Sequence, residues 1–248
     1  MNFWIQSFVA CVMMTLFTSS IAASDSSPLE ILECGIVDPR PSFIPPLTKQ
    51  EITILVIGSS STSGVGAGDR SKAYPARTAF HLNSKGSGPK VDVIAKGVGG
   101  ERAKTALQRI SPAIKATSPD LMVWQVGTND ALGKVSLKEL TATVQKGIAI
   151  AQEHKLPLIL IDPQFFPRIL KNQNYANTVD LIAHIGKTHG LPVVKRYQRM
   201  KRALSLDESL MTSLMAKDRF HMSSLGHECL ALDLAATIRT SISTELNN

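Results

Sequence analysis

The 248-residue chain has only three cysteines, and its first 24 residues carry no charged side chain. It contains no internal repeat and no low-complexity tract, which excludes solenoid and fibrous architectures. After the N-terminal segment, no apolar run approaches the length of a membrane span. His81, His154, His184 and His189 do not combine with cysteines or carboxylates at metal-ligand spacing, so no metal is expected. No RNA- or DNA-binding motif is present, and "KRYQRMKR", Lys195 to Arg202, reads as a solvated helix face, so nucleic acid is not expected as a partner. "GVGAGD", Gly64 to Asp69, lacks the GxxxxGK[ST] order of a phosphate loop. It also lies too far past its strand for a dinucleotide fingerprint. None of these patterns calls for a cofactor.

What is present is an ordinary globular composition, 44% hydrophobic and 19% charged, with length enough for one substantial core and a single domain. The formal charge of +7 and pI near 9.4 suit an anionic partner such as a cell-wall polymer, an acidic polysaccharide or a membrane surface. The uncharged N-terminus has an apolar heart, "FVACVMMTLF", followed by the small residues "TSSIAAS". That pattern resembles a secretory signal peptide, residues 1–23, cleaved after Ala22 or Ala23, although the usual early Lys or Arg is missing. Secretion or a periplasmic location follows; the alternative is an N-terminal membrane anchor. Removing the segment takes away Cys11 and leaves Cys34 and Cys229, either a disulfide pair or two unrelated buried thiols. Residues 24–50 carry several prolines and read as an extended arm leading into a domain over 51–248.

Within that domain, short apolar runs alternate with helical patterns. "ITILVIG", "VDVIAKG", "LMVWQVG", "LPLILID" and "LPVVK" read as five strands buried on both faces, which calls for a parallel sheet covered by helices. "SLKELTATVQKGIAIAQEH" opens with Ser136 three residues before Glu139, a capping box, and sets Leu137, Leu140, Val144, Ile148 and Ala151 on one face. "SSLGHECLALDLAATI" sets Leu225, Cys229, Leu232 and Ala236 on one face, with Ser224 as cap and His227 as a structural residue. Right-handed βαβ crossovers then give an α/β fold, a three-layer α/β/α sandwich.

Ligands of such sheets collect beyond the carboxyl ends of the strands. There, strand one runs into Gly58, Ser59, Ser60 and Ser61; strand two into "KGVGGERA"; strand three into "GTND". "DRFHMSSLGH" places Asp218 and His221 just before the last helix, where one turn can deliver both. A hydroxyl nucleophile, glycine-turn and amide donors, an imidazole and a carboxylate are the parts that acyl transfer through serine requires. "IDPQFFPR", Ile161 to Arg168, is either a wall of the substrate pocket or a rigid turn filling space under the last helix.

The blocks "GSSST", "GVGGERA", "GTND" and "DRFH", in that order, resemble those of the SGNH hydrolases, also called GDSL lipases and esterases. The resemblance implies a flavodoxin-like sandwich and a serine esterase needing no cofactor. It makes Ser60 the nucleophile and an oxyanion donor through its backbone N–H, Gly100 and Asn129 the other oxyanion donors, His221 the general base and Asp218 its orienting carboxylate. Two positions depart from the family pattern: Ser59 stands where the family has an acidic residue, and Ala95 where an asparagine-like residue is usual. An exported, basic member suggests acetyl or other short acyl esters on polysaccharide or cell-wall sugars as substrate. Lipid and aryl esters, thioesters and acyl transfer are alternatives with the same residues, and a non-catalytic carbohydrate-binding protein is an alternative of another class.

Overall fold

A computed structural model describes residues 26–36, 47–84 and 88–242. The expected signal peptide, 1–23, and residues 24–25 and 37–46 of the Pro-rich stretch lie outside them. Five strands, β1 (Glu51–Gly58), β2 (Lys90–Gly97), β3 (Leu121–Gln125), β4 (Leu158–Ile161) and β5 (Val193–Val194), form one parallel sheet in the order β2-β1-β3-β4-β5. The helices are α1 (Pro28–Ile31), α2 (Ser60–Ser63), α3 (Tyr74–Asn83), α4 (Ala103–Thr117), α5 (Thr128–Leu132), α6 (Leu137–Glu153), α7 (Gln173–His189), α8 (Arg196–Leu206), α9 (Glu208–Ser213) and α10 (Ser224–Ile242). The strand order reverses between β1 and β3, and β1 and β3 end where a ligand crevice is expected.

Strand side chains alternate between two cores. Ile54 and Val56 of β1 join Leu121, Val123, Ile159 and Ile161 under α3, α8, α9 and α10. Leu55 and Ile57 join Met122, Trp124, Leu158 and Leu160 under α4 and α6. α7 contributes to both, with Tyr175 and Val179 in the first core and Ile182 and Ile185 in the second. This is the three-layer sandwich the sequence implies. One strand departs from expectation: β2 is an edge, with Asp92, Ala95 and Lys96 exposed, and of its apolar residues Val91 is buried while Val93 and Ile94 are only partly covered. Charges on an exposed strand discourage pairing with another chain.

α6 starts as its pattern indicates, with Ser136 Oγ accepting the Glu139 N–H at 3.2 Å, and it buries Leu140, Val144, Ile148 and Ala151. α10 needs two corrections. Its cap is Ser223 rather than Ser224: the Ser223 Oγ accepts from Gly226 N at 3.2 Å and its carbonyl from His227 N. Its fully buried residues are Leu230, Ala231, Leu234, Ala235 and Ile238, whereas the expected stripe of Leu225, Leu232 and Ala236 is only partly buried, Cys229 alone lying deep. Its buried apolar residues join the core over the sheet, while Cys229 and Asp233 face the N-terminal segment.

That segment is not simply extended. Ser27 and Glu30 form a reciprocal capping box that starts the single turn of α1. Cys34 is disulfide-bonded to Cys229, with Cα atoms 5.1 Å apart. Gly35 N donates to Asp233 Oδ1 at 2.7 Å, and Arg199 Nη1 donates to Leu32 O at 2.6 Å. The cross-link closes 195 residues of chain, so it constrains the unfolded ensemble strongly. The double variant Cys34→Ala/Cys229→Ala is expected to lose about 2–4 kcal/mol of stability in denaturant unfolding. An unchanged midpoint would mean that the non-covalent contacts of the segment suffice.

Candidate active site

β1 is apolar until Gly58, and there the backbone is crowded. A Cβ on Gly58 would lie 2.2 Å from Thr62 Oγ1 and 2.8 Å from Gln125 Oε1, so only glycine lets the chain turn into α2 at this point. The three serines that follow point to three different environments. Ser59 is buried, and both its N–H (3.0 Å) and its hydroxyl (3.3 Å) donate to Gln125 Oε1 below the turn. Ser61 is also buried, donating to Gln164 Oε1 at 3.2 Å and accepting from Arg196 Nη1 at 3.2 Å. Of the three, Ser60 reaches an imidazole: its Oγ lies 3.1 Å from His221 Nε2.

His221 comes from a loop closed on itself by Ala216 N to His221 O (2.8 Å) and Arg219 N to Ala216 O (2.9 Å), with Arg219 in the left-handed region at φ 51°. Asp218 organises that loop. Its Oδ1 accepts the N–H groups of Phe220 and His221, both at 2.9 Å, and its Oδ2 lies 2.5 Å from His221 Nδ1. Partial burial pushes the Asp218 carboxyl up, but the bonds from His221 and from the two backbone N–H groups outweigh it and hold the pKa at about 2. The carboxylate therefore stays charged wherever an imidazole can act as a base. With Nδ1–H committed to Asp218, Nε2 is the nitrogen left to accept the Ser60 proton.

The "GVGAGD" stretch has a mechanical role here. Gly66 sits at φ +90°, and a Cβ on it would lie 2.2 Å from Met222 O and 2.9 Å from His221 Cβ. The glycine-rich loop thus packs directly against the backbone that carries His221. His227 is structural, as expected: it is fully buried, its Nδ1 accepts from Tyr74 N at 3.2 Å, and its Nε2 donates to Val65 O at 3.2 Å. Burial holds it down at about pKa 4, so it stays neutral.

The second and third blocks meet at one carbonyl. Asn129 Nδ2 donates to Glu101 O at 2.9 Å, which places the amide beside the loop containing Gly100. Gly100 is exposed and left-handed, φ +73°, a turn suited to glycine. The same loop is tied to the Ser60 turn by Val98 N donating to Gly58 O at 3.0 Å. Asp130 caps α4 from outside, its carboxylate accepting Ala103 N–H at 3.0 Å. Among the described residues, no group of His, Cys, Asp and Glu side chains is placed to hold a metal ion.

Two sequence readings change here. "IDPQFFPR" is not an open wall: Asp162, Gln164, Phe165 and Phe166 are all buried, and Phe166 packs edge-on to Phe220 with ring centroids 4.9 Å apart. The stretch is a floor beneath the histidine loop. "KRYQRMKR" is not wholly solvated either, because Arg196 is 2% exposed and donates to Ser61 Oγ, Thr128 Oγ1 and Asp162 O. Sequence reasoning missed Gln125, Gln164, Arg196 and Asp162, which support the site from below. A glutamine inside "LMVWQVG" is a signal for the first, since a polar residue in a buried strand needs partners. Arg196, in a run of basic residues, gives no such signal.

The strand order and the family match identify an SGNH hydrolase, a class of ester-bond hydrolases, whose three strand-end blocks and histidine loop meet at the β1/β3 switch. More narrowly, the chain belongs to the non-GDSL lipase-like family, whose model matches residues 46–244. The fold is shared with a lipase/acylhydrolase from Enterococcus faecalis at 22% identity, TM-score 0.66, over 76% of this chain and 96% of that one. It is also shared with the acetyl xylan esterase AlAXEase, at 19% identity, TM-score 0.66, over 75% and 100% of the two chains. A third match is the psychrotrophic esterase EstA from Pseudoalteromonas sp., in a structure inhibited by monoethylphosphonate, at 14% identity, TM-score 0.64, over 76% and 97%. No curated protein sequence matches the chain.

The Asp218–His221 bond is open to direct measurement. In a carboxyl-resolved NMR titration, Asp218 is expected to titrate near 2, and His221→Ala should move its midpoint up towards the ordinary 3.8. A midpoint unchanged by that substitution would show that the backbone N–H groups alone hold the carboxylate.

Proposed function

We propose that the protein is an exported serine esterase that cleaves short-chain acyl esters through an acyl-enzyme on Ser60. One observation carries the reading: the continuous hydrogen-bonded chain Ser60 Oγ to His221 Nε2 (3.1 Å) and His221 Nδ1 to Asp218 Oδ2 (2.5 Å). In this mechanism His221 Nε2 takes the Ser60 proton as Oγ attacks the ester carbonyl, and Asp218 stabilises the imidazolium that forms. The tetrahedral oxyanion is held by the N–H groups of Ser60 and Gly100 and by the Asn129 amide. Ser60 N–H lies in the first turn of α2, where helix N–H groups have no intrahelical acceptor and remain available. His221 then returns the proton to the departing alcohol, and a water repeats the sequence to release the acid.

The substrate class is inferred more widely. The disulfide suits an oxidising compartment, in line with the signal-like N-terminus. The positive charge favours an anionic cell-wall or membrane surface. With an acetyl xylan esterase among the structural neighbours, acetyl groups on polysaccharide or cell-wall sugars are the proposed ester. Because a neighbour is inhibited by a phosphonate, the test is a fluorophosphonate probe with intact-mass readout and sequencing of the labelled peptide. A single adduct on Ser60, absent in Ser60→Ala, is expected. Asn129→Ala should lower kcat on acetylated sugars by about 10²–10³-fold, the usual cost of one oxyanion donor. A folded protein that takes no adduct and hydrolyses no ester would turn the reading to a carbohydrate-binding protein.

A further inference from the structure

Gln164 belongs to none of the four blocks, yet it lies between the nucleophile turn and the histidine loop. It is 2% exposed. Its Oε1 accepts the Ser61 hydroxyl at 3.2 Å, and its Nε2 donates to Phe220 O at 2.6 Å. Ser61 follows Ser60 and Phe220 precedes His221, so one side-chain amide spans the neighbours of the two residues that exchange the proton. Its backbone is fixed as well: Gln164 N donates to Thr128 Oγ1 at 3.3 Å, next to Asn129, and Gln164 O accepts from Tyr175 Oη at 2.6 Å.

The amide has one possible orientation. Phe220 O is an acceptor only, so it must face Nε2. Arg196 is a donor only, and it already donates to Ser61 Oγ, so the Ser61 proton has to go to Gln164 Oε1. Every proton direction in the chain from Arg196 through Ser61 and Gln164 to Phe220 is therefore determined. A buried polar chain satisfied in a single arrangement resists displacement, because any shift leaves a group unpaired in a dry environment.

We propose that Gln164 is a positioning residue that holds the His221 loop in register with the Ser60 turn by bridging Ser61 Oγ and Phe220 O. Its catalytic consequence rests on the Ser60–His221 reading above; its structural consequence does not. Gln164→Met keeps the length and volume of the side chain and removes both bonds, whereas Ser61→Ala removes the Oε1 partner together with one acceptor of the Arg196 guanidinium and leaves the bond to Phe220 O. With the acetyl ester as substrate, Gln164→Met is expected to lower kcat by about 10²-fold, the effect of roughly 1 Å of misplacement. KM should stay within about twofold, because ground-state binding is not what the bridge supports. The double variant should be little worse than Gln164→Met, since both substitutions break one chain.

The second readout does not depend on activity. Hydrogen exchange at the amides of Phe220 and His221 should accelerate at least about tenfold in Gln164→Met while the amides of β1 and β3 keep wild-type rates. If Gln164→Met does not fold, Ser61→Ala carries the same exchange comparison. Wild-type kcat in Gln164→Met, a loss confined to KM, or unchanged exchange in the loop would each overturn the proposal. Should the wild-type protein neither hydrolyse esters nor label at Ser60, the esterase reading fails. The exchange comparison would still decide whether Gln164 holds the loop.

Discussion

A buried guanidinium sets the conditions for the rest of the site. Arg196 is almost wholly enclosed, and removing a charge from water costs several kcal/mol unless its donors are paired. Its partners come from three strand ends: Ser61 after β1, Thr128 after β3, and the carbonyl of Asp162 after β4. No single strand end can leave its place without stranding part of that charge. Burial lowers the Arg196 pKa and pushes the nearby Asp162 carboxyl up to about 7, against the Tyr197 N–H and the Arg196 charge, which favour ionisation. The residues proposed for chemistry thus stand on a polar layer whose own satisfaction requires them to be where they are.

The same layer explains how the chain manages without an acidic residue at position 59. Gln125 Oε1, rising from β3, collects the Ser59 N–H, the Ser59 hydroxyl and the Thr62 hydroxyl, and the Thr62 oxygen also meets Tyr74 Oη at 2.7 Å. The turn is organised by a neutral acceptor shared among neighbours. A serine at 59 donates into that acceptor, whereas a carboxylate there would bring a second acceptor against it. Ser59 is therefore fitted to Gln125, and its orientation away from His221 leaves Ser60 as the one serine of three that the imidazole reaches.

The parts of this arrangement that follow from local periodicity were legible in the sequence. Strands β1, β3 and β4 are continuous apolar runs because both of their faces are covered, and such runs point to a parallel sheet without any knowledge of partners. The choice of Ser60 among three serines rested on the resemblance of its block to the family, whereas the pairing of Asp218 with His221 depends on a spacing of three residues, which a linear reading resolves. The burial of Arg196, the bridge through Gln164 and the Cys34–Cys229 bond depend on contacts between residues 34–195 positions apart, for which a single chain offers no local signal. The two readings of "IDPQFFPR", pocket wall or space-filling turn, stayed open for a related reason. Aromatic residues at a strand end look alike whether they line a pocket or fill the space beneath a loop.

What holds His221 is, in the end, the first two turns of α10. Three consecutive residues there are secured by the start of α3 with the glycine-rich loop, by the middle of α3, and by the N-terminal segment. His227 accepts the N–H of Tyr74 and donates to Val65 O; Glu228 pairs with Arg77 at 2.5 Å and His81 at 2.7 Å on α3; Cys229 is bonded to the N-terminal segment. Three successive helix positions point about 100° apart, so these attachments pull in different directions and leave the helix little freedom to rotate or slide. His221 lies six residues upstream of His227, joined through the Ser223 cap and pressed by Gly66. The loop bearing His221 is thereby anchored at the end where it enters α10, while Asp218 ties its backbone through the Phe220 and His221 N–H groups and sets the tautomer of the imidazole.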